Sequence, residues 1–132
     1  MLSQQVLSAA SAAERQMYLA LTEVEDLTQE LAQAIDRQDQ VSVRLFLSLR
    51  QEQIDRLTEQ KALLRRQCSQ LPAEDAALLR GILSGTPPSP CPEAEELLRQ
   101  VERNRILLER VLRADRRSNQ RLCGGASFYS KR

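Results

Sequence analysis

The sequence predicts an all-α fold: long antiparallel helices forming a three- or four-helix bundle or coiled coil. An unbroken 4-3 apolar stripe runs through the first third, formed by Val6, Ala10, Ala13, Met17, Ala20, Val24, Leu27, Leu31 and Ala34. That spacing keeps one face of a long helix turned towards a partner helix. Leu, Ala, Glu, Gln and Arg dominate the chain, and all are strong helix formers. Aromatic residues are only 3% and glycines number four, which disfavours a β-sandwich or barrel.

The stripe predicts a first helix from about Ser3 to Ile35, roughly 50 Å long at the usual rise per residue. Four of its nine stripe residues are alanine, so a partner can approach closely while each contact adds little apolar area. The run Asp36-Arg37-Gln38-Asp39-Gln40 breaks the apolar face and offers Asp39 as a helix cap. No glycine or proline enforces a turn there, so a continuous or kinked helix is the alternative. A second helix is expected over about 40–70, where Val43, Leu47, Ile54, Leu57, Leu64, Cys68 and Leu71 keep the register. Arg50 and Lys61 fill two seam positions, with their stems along the seam and their charges in water. Leu45, Phe46 and Leu49 widen the apolar surface, which fits contact with two neighbours rather than one.

Pro72 then starts a short helix, about Ala73 to Leu83, expected to pack Ala76, Leu79 and Leu83 or their neighbours. The stretch 84–92 holds four prolines in six residues and reads as an extended connector. Pro92, followed by Glu93, Glu95 and Glu96, opens the last helix, which should reach about Leu122. Its stripe is Leu97, Val101, Asn104, Leu108, Val111, Asp115, Ser118 and Leu122, turning polar from Asp115 onward. Gly124-Gly125 stops it. The organisation is therefore one helical domain over 1–122 and a short tail over 123–132.

The net charge of +1 hides a segregated chain. Residues 1–40 carry two basic groups against seven acids, 41–72 six against three, 73–98 one against five, and 99–132 ten against three. Either the acidic first helix faces the basic last one inside the bundle, or the basic end meets an acidic partner.

Nothing in the pattern supports chemistry, and an enzyme is not expected. The chain has no histidine, and its acids sit three or four residues from basic groups, a helix-supporting arrangement. Phosphate loops and dinucleotide fingerprints are absent, and no cofactor or metal is implied. Cys68 falls on an apolar stripe as a small core hydrophobe, whereas Cys91 and Cys123 are expected to be exposed. Three cysteines without a CxxC pair fit a reduced, cytoplasmic setting. No secretory signal is expected at the N-terminus, and no apolar run approaches the ~18 residues of a membrane span. Eight arginines lie between Arg99 and Arg121, but they are spread around the helix and have no aromatic platform, so nucleic-acid binding is not expected. Asn104, an amide on an otherwise apolar seam, either fixes register or helps line a groove open to another chain's helix.

In architecture the chain resembles the FlgN family of flagellar export chaperones. The residues carrying the resemblance are Leu57-Thr58-Glu59-Gln60-Lys61-Ala62-Leu63-Leu64 in the second helix and Glu102-Arg103-Asn104-Arg105-Ile106-Leu107-Leu108 in the last. Tyr129 lies in the tail, where that family often has a tyrosine. The resemblance implies a cytoplasmic protein that holds the C-terminal helical region of hook-filament junction proteins before secretion. It further implies client contact through the last helix and tail. Leu108, Val111, Leu112 and Leu122 would then cover the client's apolar face, and Arg105, Arg113, Arg116 and Arg117 would meet its acids, with Asn104 and Tyr129 alongside. The alternative is a structural coiled-coil adaptor that forms a homodimer through the first-helix seam.

Overall fold

The computed structural model describes residues 2–87 and 91–124, with side chains as far as Arg117. Among them lie four α-helices and no strand: α1 (Gln4–Asp36), α2 (Gln40–Ser69), α3 (Ala73–Leu83) and α4 (Glu95–Gly124), the last preceded by a 3₁₀ turn at Pro92–Ala94. The molecule is an all-α helical bundle.

Helix α1 is the axis of the bundle, with α2 and α4 both packed along it. Ser3 caps its start, its hydroxyl accepting from the Val6 N–H at 3.1 Å. Seven of the nine stripe residues are buried, and Val6 and Leu27 are half-buried. Leu7, Glu14, Leu21 and Thr28 are buried as well. They form a second column at seven-residue spacing beside the stripe. A surface this wide faces two helices at once, which a narrow two-stranded seam would not.

The break after α1 falls at Arg37–Asp39 and needs no glycine. The Asp39 N–H donates to the Ala34 carbonyl at 2.9 Å and the Gln38 N–H to the Ile35 carbonyl at 3.0 Å. This is the paired closure in which the residue between takes a left-handed backbone, and Gln38 does so with φ 58°. Asp39 then caps α2, accepting from the Ser42 N–H at 3.1 Å and the Ser42 hydroxyl at 2.7 Å. The same closure ends α3. There Gly85, at φ 81°, supplies the left-handed residue and the Thr86 N–H reaches the Gly81 carbonyl.

Contacts along the seams set the helix directions. Successive levels of α1 meet successive levels of α4: Leu7 and Ala10 share a core with Leu97 and Val101, Glu14 bonds Asn104, and Leu21 and Val24 pack with Leu107 and Val111. Helix α4 therefore runs parallel to α1 and antiparallel to α2, with the short α3 and the connector returning the chain. Three clusters stack along the axis. At the α3 end, Leu64 and Cys68 from α2, Leu79 and Ile82 from α3, and Ala94, Leu97 and Val101 close around the first half of α1. The middle cluster joins Leu21 and Val24 to Leu107 and Val111, and the third joins Leu31 and Ala34 to Val43. Four helices thus meet at one end and three in the middle.

Several side chains depart from the sequence expectation. Helix α3 buries Ala76 and Leu79 as expected, with Ile82 completing the set in place of its half-buried neighbour Leu83. In α4, Leu107 is buried while Leu108 is half-buried, because its buried run steps through 97, 101, 104, 107 and 111. The Arg50 charge is not given up to water. It pairs with Asp115 of α4, so the polar seam positions of the two helices meet each other. Cys68 is buried in the core as expected. Cys91 is half-buried against the same cluster rather than exposed, and its thiol donates to Glu93 at 3.0 Å. The side chain of Cys123 lies outside the described residues.

The turn yields two expectations. Gln38→Gly should stabilise the fold by about 0.5–1 kcal/mol in urea unfolding, because it relieves a left-handed side chain at some cost in chain entropy. Asp39→Ala should lower the unfolding midpoint at neutral pH. The Ser42 hydroxyl and N–H hold the Asp39 carboxyl below its ordinary 3.8. The cap's contribution is therefore complete above that value and disappears as pH falls through the folded one, and the difference between the two proteins should shrink in acid.

Candidate binding site

Asn104 sits on α4 at 6% exposure, facing α1. Its Nδ2 donates to the Glu14 backbone carbonyl at 2.8 Å and to Glu14 Oε1 at 2.7 Å. Glu14 is itself 5% exposed. Burial raises its carboxyl above the ordinary carboxylate range, against the Asn104 hydrogen bond and the Lys61 charge, which both lower it. The three long helices thus converge on one buried acid. The amide was legible in the sequence; the acid was not, because Glu14 lies one residue beyond the stripe. Its signal was the seven-residue column shared with Leu7 and Leu21.

A groove of about 200 Å³ opens outside this pair, between α1 and α4. Arg15, Tyr18 and Leu19 line it from α1, and Gln100, Arg103 and Asn104 from α4. The Arg103 guanidinium lies over the Tyr18 ring, 4.4 Å from its centroid, held there by attraction to the ring face. Gln100 Oε1 and Asn104 Oδ1 are buried without a hydrogen-bond partner among the described residues.

The other expected contact residues divide. Val111 is buried against α1, and Leu108 is half-buried in the middle cluster beside Ile54 and Leu57. Val111 does not lie on a free surface, and Asn104 meets one only where it lines the groove. Leu112 is 46% exposed, and Arg105, Arg113, Arg116 and Arg117 are exposed. Arg105 is tied along its own helix to Glu102 at 2.5 Å and Glu109 at 2.8 Å. Its hydrogen bond holds the Glu102 carboxyl below the ordinary range. The side chain of Leu122, and Tyr129 altogether, lie outside the described residues.

Among the described residues no cluster of His, Cys, Asp or Glu could hold a metal ion, and no helix is long and apolar enough to cross a membrane. Comparison of the chain with protein-family models, curated proteins and solved structures returns no match.

Two substitutions test the buried pair. Asn104→Ala strands the Glu14 carboxylate and should cost about 1–3 kcal/mol in urea unfolding. Glu14→Gln keeps an acceptor for Asn104 and removes the buried charge, so it should stabilise the fold at neutral pH. A raised folded pKa places the carboxylate's penalty above that pKa and removes it in acid. The Glu14→Gln gain should therefore fade as pH drops.

Proposed function

We propose that this chain is a cytoplasmic flagellar export chaperone of the FlgN type, holding the C-terminal helical region of a hook-filament junction protein before secretion. The observation that supports a helix-binding role is apolar surface left over after the bundle has closed. Helix α2 buries only Val43, Leu64 and Cys68 and leaves Val41, Leu45 and Leu63 exposed, while α4 exposes Leu112 at 46%. Val41 and Leu45, one turn apart on α2, share an outward face, and adjoining exposed aliphatic side chains of this kind mark a contact surface where a lone one does not. Leu112 lies on one outward face of α4 with Arg105 and Arg116, at spacings of seven and four. A client helix with an apolar stripe flanked by acids would match that face.

The burial pattern narrows the contact surface expected from sequence. Leu112, Arg113 and Arg116 are available to a client, whereas Asn104 and Val111 are occupied in the bundle. The same pattern weighs against an adaptor that dimerises through the first-helix seam. Ala10, Ala13, Met17, Ala20, Val24, Leu31 and Ala34 are already buried within the chain's own core.

Light scattering coupled to size exclusion should show a one-to-one complex with a C-terminal helical peptide of a junction protein. Leu112→Glu combined with Arg116→Glu should weaken that complex by about tenfold or more, with helical circular dichroism unchanged. A tight homodimer that ignores the peptide would sink the reading.

A further inference from the structure

We infer that the groove between α1 and α4 is a docking site for a short acidic segment of a partner protein, one that places a carboxylate between Arg15 and Arg103 and an apolar side chain against Leu19. The groove lies on the seam of the two parallel helices and is distinct from the outward Leu112 face; the inference does not rest on the export reading.

The first reason is where charge points. The one carboxylate lining the groove, Glu14, is turned inward to Asn104 and is 5% exposed. What remains towards solvent is cationic, since Arg15 and Arg103 are both exposed and neither has an ion-pair partner among the described residues. Stacking on Tyr18 fixes the Arg103 plane before any ligand arrives. A guanidinium held in this way loses little freedom when its N–H edge takes a carboxylate.

The second reason is apolar. Leu19 is 59% exposed at the rim of the groove. Ile106, 51% exposed, lies three residues beyond Arg103 on the same side of α4. The pairings Glu14–Asn104 below and Glu25–Arg110 above place Leu19 and Ile106 at one level. Leu19 thus offers an apolar contact at the groove itself, and Ile106 stands at the same level on α4, outside its lining. The Glu25–Arg110 ion pair bridges the helices beyond them and bounds the site. From Gln100 to Arg110 the length is about 15 Å, room for two or three turns of helix or a few extended residues. A nucleic acid fits less well, because the Tyr18 face that would stack a base is already covered by Arg103.

The test uses the full chain and a labelled peptide of roughly 16 residues, with leucine at every third or fourth position and glutamate elsewhere. Fluorescence anisotropy at about 0.15 M salt suppresses long-range attraction. Saturable binding should weaken by about tenfold or more in Arg15→Gln/Arg103→Gln, and comparably in Leu19→Ser/Ile106→Ser. Arg65→Gln/Arg66→Gln, which removes two exposed charges from α2, should change it by less than about twofold. Circular dichroism on each variant separates lost binding from lost fold. The inference is overturned by the absence of saturable binding, by an equal loss in the Arg65/Arg66 variant, or by groove variants that bind normally. Equal competition from oligothymidylate of the same charge overturns it too. Leu112→Glu/Arg116→Glu should bind the probe normally, so a loss confined to the groove variants separates this site from the face proposed for the client.

Discussion

The buried hydrogen bond between Glu14 and Asn104 is the constraint on which the arrangement of the long helices depends. Two parallel helices with apolar seams can slide by a turn at modest cost, since one aliphatic residue replaces another. A carboxylate in that seam removes the degeneracy. Moving α4 by three or four residues would set Val101 or Leu108 against Glu14 and leave a desolvated acid without a donor. Such a group costs far more to bury than a misplaced methyl group. Only the observed register gives the acid two-sided relief, with the Asn104 amide from α4 and the Lys61 charge from α2. The pair weakens the fold relative to an apolar contact and makes it singular, the trade also seen for polar residues at coiled-coil seams.

The rest of the bundle follows from what α1 can tolerate at its centre. A helix flanked by two long neighbours needs a broad buried surface and small side chains where the backbones come closest. Ala10 and Ala34 are fully buried and supply that closeness, while Leu7, Leu21 and Leu31 supply area. Chain connectivity then decides the direction of α4. A tight three-residue turn makes α2 antiparallel to α1. The short α3 packs at the far end of that pair, and α4 starts from the same end. Ile82 and Leu79, both without measurable exposure, are what hold α3 in place.

Much of this was legible in the sequence because it rests on local rules. Prolines, the Asp39 cap and the 4-3 spacing marked the first three helices to within a residue, while α4 begins three residues after Pro92, behind a 3₁₀ turn, and runs two past Leu122. Left-handed Gln38 was not legible as such; the turn was chosen by loss of the apolar face, and the backbone followed from the hydrogen-bonded closure. Partner choice was also hidden. Arg50 and Asp115 each read as a polar interruption of its own seam, and only the register fixed by the buried pair brings them together. Leu107 displaced Leu108 from the core for a related reason: packing against two helices shifts the buried face of α4 away from a strict 4-3 step. For the candidate contact residues, chemistry was legible in the sequence and side was not. Asn104 and Val111 belong inside, Leu112 and the arginines outside.

That division bears on the charge segregation of the chain. If the acidic first helix existed to neutralise the basic last one, ion pairs should run the length of their seam. Among the described residues a single one crosses it, Glu25–Arg110. Glu14 faces α4 but is matched by an amide rather than an arginine. Arg105 is satisfied along its own helix, and Arg113, Arg116 and Arg117 are exposed. Among the described side chains, Arg105, Arg113, Arg116 and Arg117 thus turn their charge to solvent. Charges so placed add little to stability, but they bias which molecules approach and in what orientation. The bundle is held by its apolar columns and one buried polar pair, which leaves the arginines of α4 to act on whatever lies outside it.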